Sequence, residues 1–193
     1  MRIIVATHNK GKMAEFAVIL KDTGIEFVSW DEAGLGDLEI EENGSNCEEN
    51  SFIKADTICR ITGEAAMADD SGLFVDALGG DPGVNTARYA GDHGNDAANR
   101  ALLLKNLEGV PMEKRTARFM TVITVVYPDG KKLVATGICP GYISTEERGE
   151  RGFGYDSVFI PEGNDKTFAE LPLEYKNSIS HRHLALEKLL KII

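Results

Sequence analysis

Long apolar runs are missing from this chain. Nowhere do ~20 consecutive apolar residues occur, the length a helix needs to cross a bilayer. The apolar stretch Ile3 to Ala6 is too short for a secretory signal and ends in the polar Thr7-His8-Asn9-Lys10. Cysteine is scarce: Cys47, Cys59 and Cys139 are odd in number, widely spaced and without a CxxC pair. That excludes a disulfide framework or a thiolate zinc site and points to reduced, buried thiols in a cytoplasmic protein. Basic residues are outnumbered 21 to 31 by acidic ones, leaving a net charge of −10. Such a balance opposes broad binding to nucleic acid and to anionic membrane surfaces, both of which draw affinity from Lys and Arg. A small polyanion is not excluded, because a local basic pocket overcomes a diffuse field that salt screens within ~8 Å.

What is present is an ordinary globular composition, 42% hydrophobic and 27% charged over 193 residues. That is enough to build one domain, expected to span 1–193. Ile3 to Ala6 reads as a strand buried on both faces. Met13, Phe16, Ala17 and Leu20 then fall on one face of a helix that Gly24 suits as an end, and Ile25, Phe27 and Ser29 alternate as a second strand. Asn46 with Glu49 makes a capping box for a helix over 47–62, on which Asn50 and Lys54 share a face. Asp96 can cap a helix through Leu107, and Phe119 to Tyr127 with Leu133 to Ile138 reads as a hairpin. Leu186, Leu189, Leu190 and Ile193 mark a last helix that Ser180 can cap. This is an α/β chain.

Several segments can carry chemistry. Thr7-His8-Asn9-Lys10-Gly11-Lys12 joins a buried strand to a helix N-terminus, where free N–H groups and two lysines favour an anion. It fails as a P-loop, because Met13 stands where a magnesium-binding Ser or Thr belongs. Asp69-Asp70-Ser71-Gly72 reads either as a turn or as paired carboxylates at a strand end, able to hold Mg²⁺ and activate water. Phe153-Gly154-Tyr155-Asp156 offers an aromatic in a glycine-rich turn, either core or a stacking platform for a base. Lys176, His181, Arg182 and His183 form a basic cluster before and at the last helix.

Taken together these segments resemble the inosine triphosphate pyrophosphatase family. The resemblance runs along Thr7, Asn9 and Lys12, Glu49-Asn50 and Lys54, Ala68-Asp69-Asp70-Ser71-Gly72-Leu73, Pro82-Gly83 and Ala87-Arg88-Tyr89-Ala90-Gly91. It continues through Gly152-Phe153-Gly154-Tyr155-Asp156, Phe168-Ala169-Glu170-Leu171, Lys176 and Ser178-Ile179-Ser180-His181-Arg182. It implies an elongated mixed β-sheet flanked by helices, two lobes with a central cleft, and a homodimer. It also implies hydrolysis of ITP, dITP and XTP to the monophosphate and pyrophosphate with Mg²⁺. On this chain Thr7, His8, Asn9, Lys10, Gly11, Lys12 and Lys54 would hold phosphates and Asp70 would activate water. Glu41, with Asp70, would bind the metal, although Glu39 and Glu42 are close neighbours. Ser71 would contact the nucleotide and Phe153 would stack on the base, with Gly154, Tyr155, Asp156, Lys176, His181 and Arg182 around it. His8 replaces the family's usual Gly, Asn46-Cys47 its Thr/Ser-Phe, Ser51 a common Ala and Asn85 a frequent aromatic. The rival reading from another class is a catalytically silent nucleotide-binding module, which the adjacent carboxylates of Asp69 and Asp70 argue against.

Overall fold

The computed structural model describes residues 1–21 and 23–193. Its elements are β1 (Arg2–Val5), α1 (Lys10–Ile19), β2 (Glu26–Val28), α2 (Cys47–Thr62), β3 (Ala65–Val75) and β4 (Pro82–Gly83). They continue with α3 (Asp96–Asn106), β5 (Thr116–Val126), β6 (Lys132–Ile143), β7 (Phe159–Pro161), α4 (Leu173–Ile179) and α5 (His181–Leu190). The described strands form one mixed sheet in the order β2-β1-β3-β5-β6-β7, with β4 beside β3. β1 runs parallel to β2 and β3, while β4 and β7 are antiparallel to their neighbours.

Contacts divide the chain into two compact units. The first comprises Met1–Asp70, Thr121–Gly137 and Arg182–Ile193, and the second Ser71–Met120 and Ile138–His181. In the first unit the strands are buried on both faces, as the continuous apolar run of β1 requires. Ile3, Val5, Ala65 and Met67 pack on one side with Phe16 and Leu20 near α1 and Leu186 and Leu189 of α5. Ile4, Ala6, Ala66 and Ala68 pack on the other against Ala55, Ile58 and Cys59 of α2 and against Trp30. The second unit has its own core, in which Leu103 and Leu107 meet Phe119, Phe159 and Phe168.

The structure also corrects several expectations. Asp69 to Gly72 is neither a turn nor a strand end; it lies inside the continuous strand β3. Leu73 and Phe74 pair with Gly83 and Pro82 of β4, and a Cβ on Gly72 would sit 2.7 Å from the Gly83 carbonyl oxygen. Close pairing there demands glycine and overrides the local turn preference of Asp, Ser and Gly. The N-cap of α3 is Asn95, whose side chain accepts from Ala98 N–H, and not Asp96. Half of the capping box of α2 forms: Asn46 accepts from Glu49 N–H, whereas the Glu49 carboxylate turns to the Ser45 N–H and hydroxyl. Ala17 lies exposed on α1, and Ser180, immediately before α5, also closes α4, an element with no periodicity strong enough to announce it.

Candidate active site

The polar segment after β1 folds as its residue types dictate. Asn9 caps α1 by accepting from Lys12 N–H at 3.1 Å, while its own N–H donates to Thr7 Oγ1 at 3.2 Å. Lys10 is exposed and Gly11 half-buried at the start of α1, and a helix N-terminus is the place expected for anion binding. His8 is exposed and rests its ring on Trp30, centroids 4.1 Å apart. Beside it Thr7, Lys10, Met13, Ser29 and Asp31 line a cavity of about 350 Å³.

Lys12 points inward, and its Nζ meets Asp69 Oδ2 at 2.8 Å. Lys54, two turns along α2 from Cys47, donates to the Asp69 carbonyl at 2.7 Å and pairs with Glu42 at 3.1 Å. Arg182, at the start of α5, is buried; its guanidinium is paired with Glu15 and lies 3.5 Å from Asp69 Oδ2. Asp69 is thus the hub of a buried ionic cluster. Burial alone would raise its pKa, but Lys12, Arg182 and Lys54 hold it well below the usual carboxylate range. Burial lowers Lys12 in turn, against the pull of Asp69. Lys54 is held above its ordinary value, because Glu42, Asp69 and Asp70 together outweigh burial.

Asp70 points the other way along β3 and is only half-buried. Burial raises its pKa despite Lys54 and Lys12. Two residues of α2 reach it: Asn50 donates to Oδ2 at 3.2 Å, and the Cys47 thiol hydrogen-bonds its carboxylate. Cys47 is pushed up to about 12 by burial and by Asp70, so it stays a neutral thiol. Asn50 is oriented at its other end by Gly44 N–H, which donates to Oδ1 at 2.8 Å.

The second unit holds the other predicted residues. Asp156 Oδ2 accepts from Phe153 N–H at 3.0 Å and from Lys176 Nζ at 2.6 Å. The Lys176 ammonium lies 4.9 Å from the Phe153 ring centroid. Gly152 is required here, because it has φ +80° and a Cβ would fall 2.0 Å from Asp156 Oδ2. Tyr155 is buried and donates to the Thr86 carbonyl at 2.8 Å. His181 stacks on Phe119 at 4.7 Å. Ser71 follows Asp70 on β3 and is half-buried.

A profile of the Ham1 family matches residues 3–192. The chain belongs to the Ham1 family. This Ham1 protein is 50% identical over 193 residues to a dITP/XTP pyrophosphatase of Desulforamulus reducens, covering 100% of this chain and 96% of that one. It is 47% identical over 190 residues to the dITP/XTP pyrophosphatase of Bacillus subtilis, covering 98% and 96%. Among solved structures, a HAM1 protein from Coxiella burnetii superposes with a TM-score of 0.89 at 39% identity, covering 100% and 98% of the two chains.

Within this Ham1 protein the structure brings Lys12, Lys54, Asp70 and Arg182 into one cluster, and Phe153, Asp156 and Lys176 into another. Glu41 is exposed, and Glu42 is the acidic-loop carboxylate that lies against Lys54. Sequence reasoning passed over Glu15 and the roles of Asp69 and Asn50. Glu15 lies three residues beyond Lys12 on α1, the same helical face, so its signal was the i, i+3 spacing. Among the described residues no three His, Cys, Asp or Glu side chains converge as a ready metal cage.

Proposed function

We propose that this protein hydrolyses the non-standard purine nucleoside triphosphates dITP, XTP and ITP to the monophosphate and pyrophosphate. The observation that carries the reading is the arrangement around β3: phosphate-competent Lys12 and Lys54 beside a half-buried Asp70. The names of the relatives, which match along the whole chain, support it. The cluster holds three cations, Lys12, Lys54 and Arg182, against four carboxylates, Glu15, Glu42, Asp69 and Asp70. Such a set cannot neutralise a triphosphate unaided. The hard oxygen donors of Asp70 and the acidic loop suit Mg²⁺, which needs only one or two carboxylates when substrate phosphates complete its shell. We assign Asp70 and Glu41 as its protein ligands. Bound there, Mg²⁺ supplies charge neutralisation for the leaving pyrophosphate.

The remaining steps belong to the chain. Thr7 to Lys12 and Lys54 hold the phosphates through α1 N–H groups and ammonium charge. Asp70 takes a proton from water as its oxygen bonds to the α-phosphorus, and the bond to the α,β-bridging oxygen breaks to release pyrophosphate. Asn50, which donates to Asp70 Oδ2 at 3.2 Å, orients the carboxylate for that role. Asp69 stays ionised and keeps Lys12 and Arg182 in place. Ser71 contacts the nucleotide and Phe153 stacks on the base, with Gly154, Tyr155, Asp156 and His181 shaping its surroundings. Lys176, beside Phe153, donates to a 6-keto group where adenine would present a clashing amino donor. The protein would act as a homodimer on the cytoplasmic nucleotide pool, and its buried free cysteines suit a reducing compartment.

The test is incubation with dITP, XTP, ITP, GTP and ATP, with and without Mg²⁺, and identification of the phosphate product. Pyrophosphate released from dITP or XTP only with Mg²⁺, and little from GTP or ATP, is expected. Orthophosphate as product, or binding without turnover, overturns the assignment.

A further inference from the structure

The turn that carries Phe153 is gripped by a helix to which no role has been assigned. Asp96, at the start of α3, accepts from the Gly154 N–H through Oδ2 at 2.8 Å. One turn later Arg100 donates from Nη1 to the Gly154 carbonyl, also at 2.8 Å. The two side chains share a helix face by their i, i+4 spacing. Arg100 is itself braced, its Nε pairing with Glu147 at 2.9 Å, and the same Glu147 oxygen accepts from the Ser157 hydroxyl at 3.1 Å. Both backbone groups of the residue next to Phe153 are therefore held by charged side chains, and charge-assisted bonds are roughly twice as strong as neutral ones. A half-buried glycine turn could satisfy these groups with water, so chain folding alone does not call for such a grip. On the other side Asp156 holds the Phe153 N–H. With the peptide fixed before and after the aromatic residue, few backbone orientations are left to its ring.

We infer that Asp96 and Arg100 are positioning residues for the purine base, acting through the Gly154 peptide to hold Phe153 as a rigid stacking surface. The inference rests on the reading of Phe153 as the base platform. A loosened platform weakens binding of the base in ground and transition state alike, so KM rises while kcat holds.

The experiment compares Asp96→Ala, Asp96→Asn, Arg100→Met and Phe153→Ala in steady-state dITP hydrolysis at saturating Mg²⁺, with melting temperatures recorded for each. Asp96→Ala and Arg100→Met should each raise KM by ~10-fold, the scale of losing one base–aromatic contact, with kcat within about two-fold. Asp96→Asn keeps an oxygen that accepts from Gly154 N–H and should restore KM to near wild type. Phe153→Ala must also raise KM. If it does and neither clamp variant does, the inference is overturned and the platform reading stands. If Phe153→Ala leaves KM unchanged, the platform reading falls and takes the inference with it. A fall in kcat without a rise in KM in folded clamp variants shows a merely structural role and overturns the inference. Should Asp96→Ala not fold, Arg100→Met carries the same prediction, because it leaves the Asp96 bond intact.

Discussion

Asp69 and Asp70 are neighbours of identical chemistry whose surroundings drive them in opposite directions. Asp69 is held low by Lys12, Arg182 and Lys54 against burial, so it contributes stability above its unfolded value of ~3.9, lost only as pH falls through its lower folded value. Asp70 is raised by burial beyond what Lys54 and Lys12 recover. The unfolded chain then ionises first, and stability falls as pH climbs from ~3.9 through the raised folded value. At neutral pH, Asp69→Asn should therefore cost about 3–5 kcal/mol, because it leaves buried Lys12 and Arg182 short of a counter-charge. Asp70→Asn should stabilise the metal-free protein at pH 7, less so near pH 4, while lowering kcat by ~10²–10⁴. Urea unfolding in EDTA at both pH values, alongside pyrophosphate release, checks the pair. A folded Asp70→Asn within a few-fold of wild type would end its role as base. The acidic loop divides similarly: Glu42 is committed to Lys54, whereas Glu41 is exposed. Glu41→Gln should raise the Mg²⁺ concentration needed for half-maximal rate, and Glu42→Gln should not. The reverse pattern would move the metal to Glu42.

At the scale of elements, the end of α3 depends on one buried cation. Arg115 donates to the carbonyls of Leu107, Ile143 and Ser144 at 2.7–2.8 Å and to Val110 at 3.4 Å. It gives charged donors to carbonyls after the helix and at the end of β6, of which Leu107 also accepts from Val110 N–H. Arg115→Met should lower stability by about 3 kcal/mol or more, since several buried acceptors lose a charged donor at once. A loss below ~1 kcal/mol in urea titration would mean that these carbonyls find other donors. Nothing in the sequence marks Arg115, because its partners are backbone groups brought together by tertiary structure. Elements whose signal is local were legible: the apolar run of β1, and the i, i+3, i+4 faces of α2 and α5. β3 was not, because Asp69 to Gly72 prefer a turn, and the pairing that makes β3 a strand, with β1 before them, β4 after them and β5 alongside, is non-local. Asp96 looked like a cap for the same reason: short-range chemistry announces a helix start, while its reach to Gly154 spans 58 residues.

Across the whole molecule the candidate site residues were legible as types but not as partnerships. Lys12, Lys54, Asp70 and Phe153 stand out by motif, whereas Glu15 against Arg182 is a pairing 167 residues apart in the chain. Net charge acts at this scale too. The chain carries −10, yet its proposed substrates are polyanions. At an ionic strength of 0.01 M the Debye length is ~30 Å, and a triphosphate approaching the surface meets the repulsion of the whole molecule. At 0.15 M the length shrinks to ~8 Å, which removes that diffuse repulsion but leaves the short contacts to Lys12, Lys54 and the α1 N-terminus largely intact. Raising KCl from 10 to 150 mM at fixed free Mg²⁺ should therefore increase kcat/KM for dITP, by roughly two- to five-fold. A protein that captured nucleotides through a broad basic face would show a steep fall over the same range. Such a fall here would mean that the local field of the lysines and Arg182 reaches well beyond the site and governs encounter, in spite of the acidic surface around it.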